Sequence, residues 1–198
     1  LLAAPDRTTW SGRRDHVLLL LAVQTGLRLS EITGLRATDI RLGTGAHVHV
    51  LGKGRKERCT PLAKQTQAVL RSWMSRDLGP EPAILFPSAR GSRLSADGVQ
   101  YLVAKHVATA ARACPSLTRK RVTPHVLRHT TAMELLQAGV DRSVIAMWLG
   151  HESLETTQIY LDADLTLKER VLDKIAPPSV QARRYRPEDK LMAFLSAL

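Results

Sequence analysis

The sequence feature that most constrains the fold is an unbroken apolar run, VLLLLAV, at residues 17–23. The run is much shorter than the ~20 residues that a bilayer span needs. No small-residue cleavage site follows it, so it is not part of a signal peptide. It therefore predicts a helix over residues 16–24 that ends near Gly26 and is buried on all sides. Such a helix must lie inside a domain, with other elements packed around it.

A β-hairpin is predicted further along the chain. In residues 46–50 three apolar residues alternate with His47 and His49, so the apolar set faces one way and the histidines the other. Residues 52–56 (GKGRK) form a basic turn, and residues 57–60 form the returning strand. The two histidines could bind a metal ion, but their positions suit exposed side chains and no third ligand is nearby. We therefore predict no metal site.

Capping residues and apolar periodicity predict several more helices. Residues 187–198 have the pattern of a short amphipathic helix, and another helical stretch begins at residue 156. The fold class is therefore mainly α with a small antiparallel β-sheet (α+β). The other predicted helices cover residues 31–35 after a Ser30 cap, 66–77, 96–112 after a Ser95 cap, 124–137 after Thr123, and 142–149 between Asp141 and Gly150.

The charge balance indicates an anionic partner. Lys and Arg number 29 against 18 Asp and Glu, which gives a formal net charge of +11. Nucleic acid is the favoured polyanion because each phosphate that a basic protein neutralises releases counterions, although a basic surface can also serve solubility alone. The two cysteines, Cys59 and Cys114, lack metal-ligand spacing and form no disulfide framework. They favour a reducing compartment, the cytoplasm.

Four segments carry residues suited to chemistry, and the first two are basic. TGLRLSEI, at residues 25–32, places Arg28 in apolar surroundings between two helices. This arginine could pair structurally with Glu31 or could clamp a phosphate, and the segment alone leaves both interpretations open. The second segment is the hairpin turn, where glycines permit close approach of the backbone and Lys53 and its neighbours suit DNA or mere solubility.

The other two segments contribute histidines and a tyrosine. In HVLRH, at residues 125–129, His125 and Arg128 are three residues apart and share one face of a helix whose N-terminus favours an anion. His129 could instead be packed and hydrogen-bonded. In LGH, at residues 149–151, His151 precedes Tyr160 by nine residues. A single tyrosine usually serves packing, so its interest depends on the other three segments.

Together the segments resemble the tyrosine recombinase, or phage integrase, family. The resemblance covers residues 18–162 and consists of T-G-L-R-x-S-E, G-K-G-x-K-E-R, H-x-L-R-H-T, L-G-H and Tyr, in that order. It implies the catalytic-domain fold of that family. It also implies a site-specific DNA recombinase, or integrase, that cleaves and rejoins DNA strands through a covalent 3′-phosphotyrosine, without metal or cofactor.

The resemblance implies a role for each basic or acidic motif residue. Arg28 and Arg128 resemble the two arginines that clamp the scissile phosphate. Glu31 resembles the acidic residue of the first motif, which we interpret as orienting Arg28. Lys53 resembles the general acid that protonates the leaving 5′-hydroxyl, because a lysine can donate its proton where nearby cations lower its pKa.

The remaining roles concern the nucleophile and its proton. Tyr160 resembles the nucleophile, and His125 resembles the histidine that manages the tyrosine proton and the phosphate. His151 lies where the family has His or Trp, a residue that bonds the phosphate. A phenol has a pKa of ~10, so attack by Tyr160 needs a positive field and a proton acceptor. Two arginines and a helix N-terminus would supply that field.

Other classes of protein fit the sequence less well. A metal-dependent nuclease or a DDE transposase would need clustered carboxylates, and none is placed among the basic motifs. A type IB topoisomerase uses similar chemistry, but the motifs match integrases better. The alternative is a non-catalytic DNA-binding protein that retains the recombinase fold. Binding alone does not require a phenol at that spacing, and covalent trapping of DNA separates the two functions.

We expect a catalytic domain over residues 1–176 and a C-terminal tail over residues 177–198. The family usually carries an N-terminal core-binding domain, and the sequence before Arg14 is too short for it, so we expect it to be absent from this chain.

The expected partners are a double-stranded DNA recombination site and further copies of the protein, with no membrane. In the family a C-terminal element often docks on a neighbour, so the terminal helix predicts assembly into dimers and tetramers on DNA. Docking in cis is the alternative.

Overall fold

The fold is that of a computed structural model, which describes residues 1–52, 57–79, 83–150 and Leu172. This part of the chain is mainly helical with one small sheet, which confirms the predicted α+β class. The helical stretches predicted beyond residue 150 lie outside the described residues. The α-helices of the described part are α1 (Trp10–Thr25), α2 (Leu29–Gly34), α3 (Lys64–Arg76), α4 (Ala96–Ala111), α5 (Pro124–Gln137) and α6 (Arg142–Leu149).

Helix α1 lies at the centre of the domain, as its apolar run predicts. Its leucines at residues 18–21 are at most 3% exposed, and α1 contacts both α3 and α5. The helix ends at Gly26, whose left-handed backbone (φ 63°) lets its N–H bond back to the carbonyl of Ala22. The chain then turns sharply toward α2.

The start of α1 differs from the prediction. The helix begins at Trp10 instead of residue 16, because the side chain of Thr9 caps it by accepting a hydrogen bond from the N–H of Gly12. Arg13 pairs with Asp77 at 2.7 Å, and Arg14 pairs with Asp15 at the same distance. Of the two, Arg14 is buried, and a buried charge that is paired costs far less than an isolated one, so the helix can include it.

The sheet has three strands, β1 (Ile40–Arg41), β2 (His47–Leu51) and β3 (Glu57–Pro61), in the order β1-β2-β3, all antiparallel. The predicted hairpin is confirmed as β2 and β3, whereas β1 is too short to be predicted. Val48 pairs with Thr60 and Val50 pairs with Arg58, and all four residues are buried. The core face of the hairpin therefore includes an arginine.

Side-chain caps start several helices where the sequence predicts them. Ser95, Thr123 and Asp141 each accept a hydrogen bond from a backbone N–H in the first turn of α4, α5 and α6. The Ser30 cap is wrong, since α2 begins at Leu29. Glu31 reaches back from inside the helix and accepts the N–H of residue 28 at 2.7 Å, which moves the start of the helix by two residues.

Helices α5 and α6 pack on each other around a second apolar cluster, to which Leu172 also contributes. Two hydrogen bonds tie this pair to α1. The indole N–H of Trp148 donates to the carbonyl of Thr25 at 3.1 Å, and the hydroxyl of Thr131 donates to the carbonyl of Val23 at 2.6 Å. These bonds bring the C-terminal ends of α1 and α6 close together. Across the described part of the chain, no helix has the length and apolarity to cross a membrane.

Candidate active site

Three of the predicted site residues, Arg28, Glu31 and Arg128, converge where α1 and α6 end, whereas His125 instead bonds to His129. Arg128, in the first turns of α5, is only 9% exposed. Its Nη1 donates to the carbonyl of Gly26 at 2.6 Å, and its Nη2 donates to the carbonyl of Leu149 at 2.7 Å. The last carbonyls of a helix have no partner within it and carry the negative end of its dipole, so a buried guanidinium is well placed there.

Arg28 reaches the same place from the start of α2. Its Nη2 donates to the carbonyl of Gly150 at 2.9 Å, and its Nη1 lies 3.3 Å from Oε1 of Glu31. About a third of the Arg28 side chain (34%) is exposed, in contrast to the buried Arg128. The two arginines that the sequence singled out therefore bond to consecutive carbonyl groups, one inside the domain and one at its surface.

A third arginine, Arg58, completes the cluster and was missed as a site residue by the sequence analysis. It is 6% exposed and forms a two-pronged ion pair with Glu31, with Nη1 to Oε1 at 2.8 Å and Nη2 to Oε2 at 2.7 Å. The alternation of side chains along β3 would have identified it, because Arg58 lies on the same side of the strand as Thr60. An arginine on a core face needs a buried partner.

Glu31 is the acidic centre of this cluster, but its main partner is not the one expected. The resemblance implies that it orients Arg28, which it contacts through the backbone N–H at 2.7 Å and the side chain at 3.3 Å. Its shortest side-chain contacts come from Arg58. Burial acts to raise the pKa of Glu31, but the bonds and charges of Arg58 and Arg28 outweigh it and lower that pKa. The carboxylate is therefore ionised at neutral pH.

The cluster as a whole is positive. Three arginines surround one carboxylate, and the effect of their repulsion is seen at Arg128, one of the two buried arginines. Burial, followed by the charges of Arg28 and Arg58, lowers the pKa of Arg128 to about 10, against the opposing effect of Glu31. Arg128 is still protonated at neutral pH, and a bound anion would relieve the repulsion that it feels. The arrangement is thus suited to an oxyanion such as a phosphate.

His125 lies on the exposed surface at the start of α5, three residues before Arg128. Its Nε2 lies 2.7 Å from Nε2 of His129, with the two rings edge to face. At this distance one ring nitrogen donates the hydrogen bond and the other accepts it. Burial, followed by the charges of His125 and Arg128, lowers the pKa of His129. The interpretation of His129 as a hydrogen-bonded histidine is therefore confirmed, with His125 as its partner.

Three further candidates, Lys53, His151 and Tyr160, lie outside the described residues. Only their positions in the sequence relate them to the cluster: Lys53 lies between β2 and β3, and His151 directly follows Gly150. As for metals, the described ranges contain no group of three or more His, Cys, Asp or Glu side chains that could hold an ion. In β2, His49 contacts Glu57 at 3.2 Å.

Comparison with known proteins gives consistent matches. The model of the Phage integrase family matches residues 1–166. A protein of Sinorhizobium fredii named "Putative integrase/recombinase y4rC" is 65% identical over 198 residues, which are 100% of this chain and 60% of that protein. The tyrosine recombinase XerC of Pelobacter propionicus is 37% identical over 96% of this chain and 60% of its own length. The chain thus spans about 60% of the length of these relatives.

Solved structures match as well. The XerH site-specific recombinase bound to difH substrate in a pre-cleavage complex superposes with a TM-score of 0.66 and 26% identity, over 82% of this chain and 50% of that one. The integrase of mycobacterium phage Brujita superposes with a TM-score of 0.68 and 23% identity, over 92% of this chain and 57% of that one. The second is a likeness of fold alone.

Proposed function

Because the chain belongs to the phage integrase family of tyrosine recombinases, we propose that it is the catalytic domain of a site-specific DNA recombinase that uses Tyr160 as its nucleophile. The proposed domain covers residues 1–176, and residues 177–198 form a tail.

One observation carries the proposal: two motifs far apart in sequence meet at consecutive carbonyl groups. Arg28 of the first motif bonds to the carbonyl of Gly150, and Arg128 of the third bonds to that of Leu149. Both carbonyls belong to the L-G-H motif, so three of the five motifs share one place. A phosphodiester resists attack by an anion, and two fixed guanidinium groups lower that barrier by neutralising charge as it develops.

In the proposed reaction the phenol oxygen of Tyr160 attacks the scissile phosphorus while His125 accepts its proton. The bond from phosphorus to the 5′ oxygen breaks, and Lys53 donates a proton to that leaving oxygen. His151 donates a hydrogen bond to the phosphate. The resulting 3′-phosphotyrosine retains the energy of the bond, so a second 5′-hydroxyl can attack it and rejoin the DNA without ATP. The roles of Lys53, His151 and Tyr160 rest on the motif resemblance alone.

The proposed partner is double-stranded DNA. The net charge of +11 supports this, because neutralised phosphates release counterions and so favour binding. The arginine cluster supports it too, since the cluster supplies the charge stabilisation that metal ions supply in two-metal nucleases. The structural match to XerH, a recombinase bound to its difH substrate, also supports this partner.

The experiment that tests the proposal is covalent trapping on nicked DNA. A pool of duplexes that are randomised in sequence and carry one nick at a fixed position is incubated with the protein and separated on a denaturing gel, so that the members whose cleavable site lies beside the nick react. Cleavage beside the nick releases a short fragment that carries the free 5′-hydroxyl. Once this fragment diffuses away, the strand cannot be rejoined, and the phosphotyrosine accumulates. We expect a DNA-shifted protein band that is lost in Tyr160→Phe and kept in Tyr101→Phe, a matched control at a tyrosine that is 73% exposed on α4.

The alternative function, a DNA-binding protein without catalysis, gives the opposite result. That protein would retard DNA on a native gel and form no covalent band with any duplex in the pool. Retention of the covalent band in Tyr160→Phe would show that another nucleophile acts, and the assignment of Tyr160 would then be wrong.

A further inference from the structure

Arg58 is the arginine in the cluster to which the family resemblance assigns no role. Its position follows from the register of the hairpin, in which it pairs with Val50 on the core side of the sheet. Its two terminal nitrogens both bond to Glu31, at 2.8 and 2.7 Å. This is the parallel, two-pronged geometry that makes an arginine–carboxylate pair strong. Both terminal nitrogens of Arg58 are therefore engaged by Glu31, and its Nε is buried away from solvent.

The need for Arg58 follows from a conflict at Glu31. This carboxylate helps to start α2, because its Oε2 accepts the backbone N–H of Arg28. Its negative charge also lies 3.3 Å from the Arg28 side chain. An unopposed carboxylate there would hold that side chain and cancel its charge. With Arg58 paired to it, the carboxylate shares its charge between two guanidinium groups, and the shorter contacts go to Arg58.

A second observation places Arg58 within the cluster and not only at the base of the hairpin. A methyl group added to Gly150 would lie 2.7 Å from Nη1 of Arg58 and 2.9 Å from its Cζ. The guanidinium thus packs directly against the glycine whose carbonyl binds Arg28. Position 150 therefore requires glycine for two reasons: a side chain would collide with Arg58, and the backbone is left-handed.

We propose that Arg58 is a positioning residue that neutralises Glu31, so that the carboxylate does not cancel the positive field that Arg28 and Arg128 present to the scissile phosphate. This inference rests on the proposed function. The charge count makes it testable: three arginines and one carboxylate give the cluster a charge of +2, and loss of Arg58 leaves +1. Loss of both Arg58 and the Glu31 charge restores +2, although the ion pair is gone. A residue that only anchored β3 would show no such restoration.

The test compares Arg58→Met, Glu31→Gln and the double variant in single-turnover cleavage of the nicked duplex. Glutamine keeps an oxygen that can accept the Arg28 N–H, so the start of α2 is retained. We expect Arg58→Met to cleave more slowly by about 10- to 100-fold, somewhat less than the loss of a group that touches the reacting phosphate. Adding Glu31→Gln should recover most of that loss, and Arg58→Lys, which keeps the charge, should cleave faster than Arg58→Met.

Two results would overturn the inference. One is a double variant that is folded by circular dichroism and cleaves no faster than Arg58→Met. The other is an Arg58→Lys protein that is folded and as slow as Arg58→Met. If Arg58→Met does not fold, Arg58→Gln with and without Glu31→Gln supplies the same comparison. The failure of the proposed function is recognised separately, because the wild-type protein would then form no covalent product.

Discussion

The guanidinium of Arg128 donates a hydrogen bond of 2.7 Å to the carbonyl of Leu149, the last residue of α6. A second bond, of 2.6 Å, goes to the carbonyl of Gly26 just after α1. The side chain is therefore fixed between two helix ends before any substrate arrives. Such preorganisation is what makes a charged donor effective in catalysis, because little reorganisation is needed at the moment of reaction.

Replacing Arg128 with lysine is expected to reduce both stability and cleavage. A lysine presents its donors from a single nitrogen and cannot span the two carbonyls of Gly26 and Leu149, so at least one buried bond is lost. A hydrogen bond to a charged group contributes about 1.5–3 kcal/mol, and we expect the free energy of unfolding to fall by that amount. Cleavage of nicked DNA should slow by about 100-fold or more.

The control for this prediction is Arg90→Lys, at an exposed arginine outside the cluster. Urea denaturation and single-turnover cleavage of both variants measure the two effects. If Arg128→Lys were as stable as Arg90→Lys, the two carbonyl bonds would not contribute to folding. If it cleaved as fast, Arg128 would not clamp the phosphate.

Replacing Gly150 with alanine is expected to destabilise the protein more than the same replacement at Gly139, which has a similar backbone conformation. Gly150 and Gly139 both have left-handed backbones, with φ of 71° and 77°. An added methyl at residue 139 meets nothing within 4 Å, whereas at residue 150 it meets Arg58 at 2.7 Å. Gly139→Ala should cost about 1–2 kcal/mol of the free energy of unfolding, the penalty of the backbone alone. Gly150→Ala should cost about 1–3 kcal/mol more, because Arg58 must move.

Urea denaturation of both alanine variants measures the difference. Trapping on nicked DNA adds a functional readout, since displacement of Arg58 should slow cleavage in Gly150→Ala and leave Gly139→Ala near the wild-type rate. Equal stabilities would mean that Arg58 yields without cost, and its packing against residue 150 would then not fix its position.

The sequence predicted the helices and the hairpin because their signals are local. A capping side chain such as Ser95 or Asp141 acts on a backbone N–H within three residues, so its effect can be inferred from the nearest neighbours. The same holds for Gly26 and Gly150, which end helices through their own backbone freedom. The motif residues Arg28 and Arg128 came from resemblance, and the structure adds the carbonyls that hold them.

The parts that sequence reasoning missed depend on partners distant in the chain. Arg13, near the start of α1, pairs with Asp77, the residue that follows the last residue of α3. Arg58 could be placed on the core face from its alternation in β3, but its partner Glu31 is contributed by another element. The Ser30 cap failed for a related reason, because the competing Glu31 carboxylate is also held by Arg58. A local sequence pattern does not show which of two possible capping groups will be held in place by a distant partner.

The stability of the domain is expected to decrease in mild acid because of His16. This ring is buried in α1, and burial lowers its pKa from 6.5, helped by the charge of Arg7 and opposed by the hydrogen bond to the carbonyl of Leu2. Below pH 6.5 the unfolded chain therefore binds more protons than the folded one. The free energy of unfolding should be fully retained above that pH and should fall as the pH drops below it.

His16→Asn tests this pH dependence, because an amide can still donate to the carbonyl of Leu2 and does not titrate. Urea denaturation at several values between pH 7 and pH 5 should give a smaller loss of stability in the variant than in the wild type. His129, whose pKa is also lowered, should act in the same direction, so the double variant with His129→Asn should be flatter still. Parallel curves for all three proteins would exclude these histidines as the cause.

The last prediction concerns the C-terminal tail, which lies outside the described residues and rests on its sequence pattern. Leu191, Phe194, Leu195 and Leu198 recur at helical spacing after Pro187, and such an apolar face has to be buried against a partner. If the partner is a second copy of the protein, deletion of residues 187–198 should leave the monomer folded and prevent its assembly into tetramers on DNA.

Sedimentation of protein–DNA mixtures measures the assembly. The double variant Phe194→Asp, Leu195→Asp removes the apolar face and keeps the full length of the chain. A truncated protein that still forms tetramers would mean that the tail does not join the copies, and a truncated monomer that loses stability would mean that the helix docks on its own domain.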